Sequence, residues 1–144
     1  MVMPPLLSLA DETAYRAHFK ATYCKGPILT FDGIAVRFQK ADFDHCCFES
    51  NRRTRQKQYF SRKRAERLDW IQAALRDPGA DLRVGWDNSR GRYDHDRRLT
   101  IVSGNYIVII ALQKCRTKAR FITAYVADSG RTLQLIKTSP KWPR

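Results

Sequence analysis

No run of the 144-residue sequence is apolar for the roughly 20 residues that a membrane-spanning helix needs. The opening MVMPPLLSLADE is apolar, but it lacks a basic start and is interrupted by Pro4 and Pro5, so neither a signal peptide nor a transmembrane segment is expected. Cysteine is scarce. Cys24, Cys46, Cys47 and Cys115 form no CxxC pair and have no histidine at finger spacing, which argues against a structural zinc site. Adjacent cysteines seldom belong to a disulfide framework, so reduced thiols in a cytoplasmic protein are expected. Acid is in shortest supply: 14 Asp and Glu stand against 27 Lys and Arg, leaving a net charge of +13 and a pI near 10.1. So basic a surface favours a polyanion. Without a basic amphipathic helix or a long apolar span, that partner is nucleic acid rather than a membrane.

What the chain does hold is enough apolar material for one core, 43% hydrophobic with 11% aromatic, and no internal repeat or linker, so a single domain over 1–144 is expected. Residues 6 to 24 bring Leu7, Ala10, Ala14, Ala17, Ala21 and Cys24 to one stripe at helical spacing, stopped by Gly26-Pro27. ILTFDGIAVRF sets Asp32-Gly33 between two short apolar runs, a strong hairpin signal. The segment 43 to 60 has no clear period. A helix is expected from Ser61 to Arg76, capped by Ser61, with Ala65, Leu68, Ile71 and Leu75 as its stripe and Asp77-Pro78-Gly79 as its stop. Beyond it the period becomes two. Leu82, Val84 and Trp86, then Leu99 and Ile101, then YIVIIALQ and ARFITAYVA, predict a four-stranded antiparallel meander, with SPKWPR lying along the surface. The expected class is α+β, N-terminal helices packed on that sheet.

The basic run NRRTRQKQYFSRKRAER, 51 to 67, carries eight Lys or Arg and one Glu. Solvated charge accounts for many such runs, but Tyr59 and Phe60 sit inside this one. Cations that neutralise phosphates beside rings that stack on bases are the elements of a single-stranded RNA site, here Arg52, Arg53, Arg55, Lys57, Tyr59, Arg62 and Arg67. His45, in FDHCCFES, stands a few residues before the run; it is either a structural histidine or a proton carrier matched to neutral pH. In FITAYV the strand period sorts Ile122, Ala124 and Val126 onto a helix-covered face and Phe121, Thr123 and Tyr125 onto a less covered one, where Thr123 and Tyr125 either reach a ligand or simply pack. His95, in YDHD, is a solvated loop histidine or part of a metal site lacking a second ligand pair, and His18 carries no functional claim.

From about Phe31 to Trp142 the chain resembles the phage-associated barnase, EndoU, colicin and RelE-like (BECR-fold) nucleases. The resemblance lies in FDHCCFES followed by basic residues, RAERLDWIQAALRDP, GNYIVIIAL, FITAYVADS and the terminal SPKW, in that order. It implies a metal-independent endoribonuclease with no cofactor, a toxin or phage-encoded effector acting in the cytoplasm of its own or a target cell, where an acidic antitoxin or immunity protein would restrain it. It also implies catalytic roles: His45 as base or acid, Arg64 or a neighbour in 52 to 62 as the cation that stabilises the charged phosphorane, and Thr123 and Tyr125 as phosphate-positioning groups. A noncatalytic RNA- or DNA-binding module of the same fold and a metal-dependent DNase built around YDHD are the alternatives.

Overall fold

The computed structural model describes residues 3–50, 58–127 and 129–143. The first helix, α1 (Glu12–Tyr23), begins where the Asp11 carboxylate accepts the Ala14 N–H at 2.9 Å. It buries Tyr15, Phe19 and Tyr23 rather than the expected alanine stripe, and Ala10, Ala17 and Ala21 stay exposed. Both stripes have helical spacing. The aromatic one removes far more apolar surface from water and therefore turns inward.

The Asp32-Gly33 hairpin forms as expected, joining β1 (Ile28–Leu29) to β2 (Ala35–Arg37), with Gly33 at φ +89°. A short helix α2 (Asp42–Cys47) follows, then the hairpin β3 (Phe48–Ser50) and β4 (Gln58–Phe60). The helix expected from Ser61 to Arg76 is two, α3 (Arg62–Ala65) and α4 (Leu68–Leu75), broken by a tight turn in which the Arg67 N–H bonds the Arg64 carbonyl. Ser61 caps α3, and Ala65, Leu68, Ile71 and Leu75 are all buried.

The remaining elements are β5 (Asp81–Val84), β6 (Trp86–Asp87), β7 (Arg92–Tyr93), β8 (Arg98–Ser103), β9 (Tyr106–Leu112), β10 (Lys118–Val126) and α5 (Gly130–Lys137). The class is α+β, but the sheet departs from the expected four antiparallel strands: it is six-stranded and mixed, in the order β1-β2-β10-β9-β8-β5. Strand β2 lies parallel to β10 and brings β1 with it. An open edge on β10 offers unpaired N–H and C=O groups, and the early hairpin fills it. At the other edge the C-terminal tail adds to β5: Pro140 accepts the Val84 N–H at 2.8 Å, and the Trp142 N–H reaches Leu82 at 3.0 Å.

One sheet face packs on the helices α1 to α4 through Leu99, Ile101, Val108, Ile110, Phe121 and Ala124. The outer face carries Val102, Ile107, Ile109 and Tyr125, which pack at one end against Leu133 and Ile136 of α5. A β-bulge in β10 decides which residue goes where: Phe121 pairs with Ile110 and Thr123 with Ile109, so Ile122 is the extra residue. The bulge resets the alternation. Phe121 joins Ala124 and Val126 on the core face, against the expectation, while Thr123 and Tyr125 keep the opposite one. That opposite face is not bare at Tyr125, because α5 covers it.

Between β5 and β6, a Cβ on Gly85 would stand 2.8 Å from the Arg98 Cβ. Gly85→Ala is expected to cost about 1–3 kcal/mol through overpacking. Gly26→Ala, with nothing within 4 Å of the added carbon, should stay within about 0.5 kcal/mol. Urea denaturation of the two variants checks the difference.

Candidate nucleic-acid interface

Residues paired across strands share a face. The register therefore lays Arg98 of β8, Ala111 of β9, Arg120 of β10 and Arg37 of β2 in one row across four strands. Their chain neighbours Leu99, Ile110, Leu112, Ala119, Phe121 and Val36 belong to the helix-covered core, so the row lies on the outer face, beyond the end that α5 covers. The small Ala111 keeps the middle of the row low. Together with Arg97, Lys114 and Asp96, the row's Arg98, Ala111 and Arg120 line a cleft of about 540 Å³, and Arg37 lies outside it. Arg37 and Arg120 are exposed and make no ion pair or side-chain hydrogen bond among the described residues. Arg98 lies 3.9 Å from Asp87, whose carboxyl the Ser89 hydroxyl and N–H hold below its ordinary value. Asp87 is thus a fixed counter-charge at one end, and Asp94 and Asp96 add acid to a cleft that also holds Arg90, Arg97, Lys114 and Arg120.

His45 is exposed. Helix α2 buries Asp42, Phe43, Cys46 and Cys47 and turns Asp44 and His45 outward, Asp44 pairing with Arg16 at 2.9 Å. The helix packs against β10 and α3. Burial raises the Asp42 carboxyl above its ordinary value, opposed by the Gln39 N–H and by the charges of His45 and Arg120. Histidine and arginine thus both act on the Asp42 carboxylate, His45 from α2 on the helix-covered side and Arg120 from the outer-face row. No hydrogen bond among the described residues orients the His45 ring. The adjacent thiols of Cys46 and Cys47 belong to the core, 3.5 Å apart, and all four cysteines are free.

Arg64 and Tyr125 come together elsewhere. With Glu49, Arg67 and Tyr106 they line a cleft of about 30 Å³, the volume share of one water. Neither His45 nor Thr123 lines it. The Arg64 Nε is 3.5 Å from the Glu49 carboxylate. Burial raises the Tyr125 pKa against the opposing Arg64 charge, so its hydroxyl stays protonated at neutral pH and can donate a hydrogen bond. Thr123, half-buried, pairs with Ile109 in the outer-face row next to the arginines.

Several members of the basic run serve the fold. The Arg62 guanidinium donates to the Leu9 and Ala10 carbonyls and the Tyr15 hydroxyl at 2.9 to 3.0 Å, so it ties down the N-terminal segment instead of facing a ligand. Arg67 lies over the Trp70 ring at 4.9 Å and donates to the Lys63 carbonyl. Phe60 is not a stacking platform either, since it packs among Tyr15, Phe43 and Phe48; Tyr59 is exposed. Arg52, Arg53, Arg55 and Lys57 lie outside the described residues. His95 is exposed beside Tyr93, His18 bonds Asp69 at 2.7 Å, and no His, Cys, Asp and Glu group among the described residues is arranged to hold a metal.

No family model, curated protein or solved structure matches this chain. Among the described residues no helix is long and apolar enough to cross a membrane. Sequence reasoning missed Arg37, Arg98 and Arg120. Each stands beside core residues in an alternating strand, but which arginines share a row depends on a register that a single strand does not carry.

Proposed function

We propose that the protein is a metal-independent endoribonuclease that holds single-stranded RNA along its outer sheet face. The observation that carries this is the row Arg37–Arg120–Ala111–Arg98, a line of guanidinium groups across four strands. Planar guanidinium forks match phosphate oxygens, and a rigid sheet presents them without reorganisation. In the proposed reaction the ribose 2′-oxygen attacks the adjacent phosphorus in line while the bond to the 5′-oxygen breaks. A base takes the 2′ proton and an acid returns one to the leaving oxygen, which leaves a 2′,3′-cyclic phosphate. His45 supplies one of these proton transfers, the arginines hold the charge that builds on the phosphorane, and Thr123 donates a hydrogen bond to the same phosphate. Arg64 and Tyr125, in their own small cleft, brace the β10 end of the site. The role of a toxin or phage-encoded effector, with an acidic protein restraining it, is part of the same proposal and has its support in the resemblance and the charge.

A noncatalytic RNA-binding role is favoured by one observation, that no hydrogen-bond partner among the described residues orients the His45 imidazole. The two roles share the binding surface and differ in chemistry. For the surface, replacing Arg37, Arg98 and Arg120 by Gln is expected to weaken binding of single-stranded RNA and to flatten the slope of log affinity against log salt by about 2, at roughly 0.7 for each lost phosphate contact. Fluorescence anisotropy over a salt series reads it. An unchanged slope would place the phosphates elsewhere.

A further inference from the structure

Beside the arginine row, on the same outer face, lies a second cleft of about 220 Å³. Trp86, Ile109 and Tyr125 form its apolar walls, Asn88 and Ser139 bring polar groups to it, and the buried Thr100 lines it from within. Trp86 is 48% exposed, unusual for an indole, while an edge-to-face contact with Tyr93 at 5.1 Å holds its ring in place. The side chains of Asn88 and Ser139 make no hydrogen bond among the described residues, so their donors and acceptors are open to a ligand. The Thr100–Ile109–Thr123 row is two residues along β8 and β9, and three along the bulged β10, from the Arg98–Ala111–Arg120 row, about 7 Å at the usual rise. Apolar cleft and cationic cleft are therefore neighbours at the spacing of parts of one nucleotide.

We infer that the cleft between Trp86 and Tyr125 is a nucleobase subsite, taking one unpaired base of a strand whose phosphates lie on the arginine row. The inference rests on the proposal that this face binds RNA, and it adds which residues engage a base. Every nucleobase has an apolar face that can stack on an indole and polar edges that need partners. The cleft offers a ring, apolar walls and the Asn88 amide with the Ser139 hydroxyl. A peptide segment would gain little from the cations next door. A nucleotide uses both halves. Because stacking tolerates any base, the open polar groups of Asn88 and Ser139 set whatever base preference exists.

The test compares binding of two probes by fluorescence anisotropy: a mixed-base single-stranded RNA with 2′-fluoro riboses, which cannot undergo 2′ attack, and an abasic ribose-phosphate chain of equal length. Trp86→Ala is expected to weaken binding of the base-bearing probe by roughly 5- to 150-fold, the range for losing one stacked base. It should leave the abasic probe and the salt slope unchanged, and Trp86→Phe should retain most of the affinity. Trp86 is half exposed, so the variant should fold, and its circular dichroism and melting curve establish that it does. If Trp86→Ala binds the base-bearing probe like wild type while the arginine variants weaken it, the subsite is overturned and the RNA-binding proposal stands. If wild type binds neither probe, the RNA-binding proposal falls and the subsite falls with it.

Discussion

His45→Ala is expected to slow single-turnover RNA cleavage by about 100-fold or more, the usual scale for removing a general acid or base. The melting temperature should barely move, because His45 is exposed and makes no hydrogen bond among the described residues. Its α2 neighbours Phe43, Cys46 and Cys47 hold the helix against the core without it. This separation of activity from stability is what a histidine engaged with substrate predicts. Binding of RNA should change little, since the phosphate contacts belong to the arginine row. A variant that cleaves at the wild-type rate would remove His45 from the reaction. One that loses activity only in proportion to its folded fraction would return it to a structural part.

Phe121→Ala should be the most destabilising single change considered, at about 3–5 kcal/mol. The ring is 1% exposed and stacks on Phe38 with centroids 4.8 Å apart, so removing it opens a cavity between the sheet and the helices. Ile122→Ala, at the bulge and half-buried, should cost about 1 kcal/mol. Urea denaturation of both variants reads the bulge directly. Simple alternation through FITAYV puts Ile122 inside and Phe121 outside, so a reversed order of stabilities would mean that the bulge is absent and Phe121 shares the outer face with Thr123 and Tyr125.

That pair of residues shows where local sequence stops being informative. Elements with a strong local cause were legible: the Asp32-Gly33 hairpin, the Ser61 cap with its stripe to Leu75, and the continuous apolar strand at 106 to 112. In α1 the period was right and the face wrong, because alanines and aromatics both recur at helical spacing and only burial area chooses between them. Helix α5 had a signal in SGRTLQLIK: Ser129 caps it by accepting the Thr132 N–H, and Leu133 and Ile136 are three apart. It covers the very face on which Tyr125 was expected to be open.

The candidate site was legible only as chemistry. A net charge of +13 pointed to a polyanion, but the run with the most arginines directs two of them, Arg62 and Arg67, to structural partners. The row on the sheet draws Arg37, Arg98 and Arg120 from three distant segments, and it exists because β2 joins β10 in parallel while a meander joins the rest. His45 was singled out for its nearness in sequence to residues 51 to 67. In the fold it and Arg120, some 75 residues later, act on the same carboxylate, that of Asp42.

Cleavage of single-stranded RNA by the purified protein in EDTA, with the product ends resolved, tests the central claim most directly. The account predicts fragments ending in 2′,3′-cyclic phosphate, and no cleavage of the same sequence made with 2′-deoxyribose. RNA bound but left whole would contradict catalysis and make the protein a binding module. Cleavage of DNA that returns only when a divalent metal is restored would contradict the 2′-hydroxyl mechanism itself.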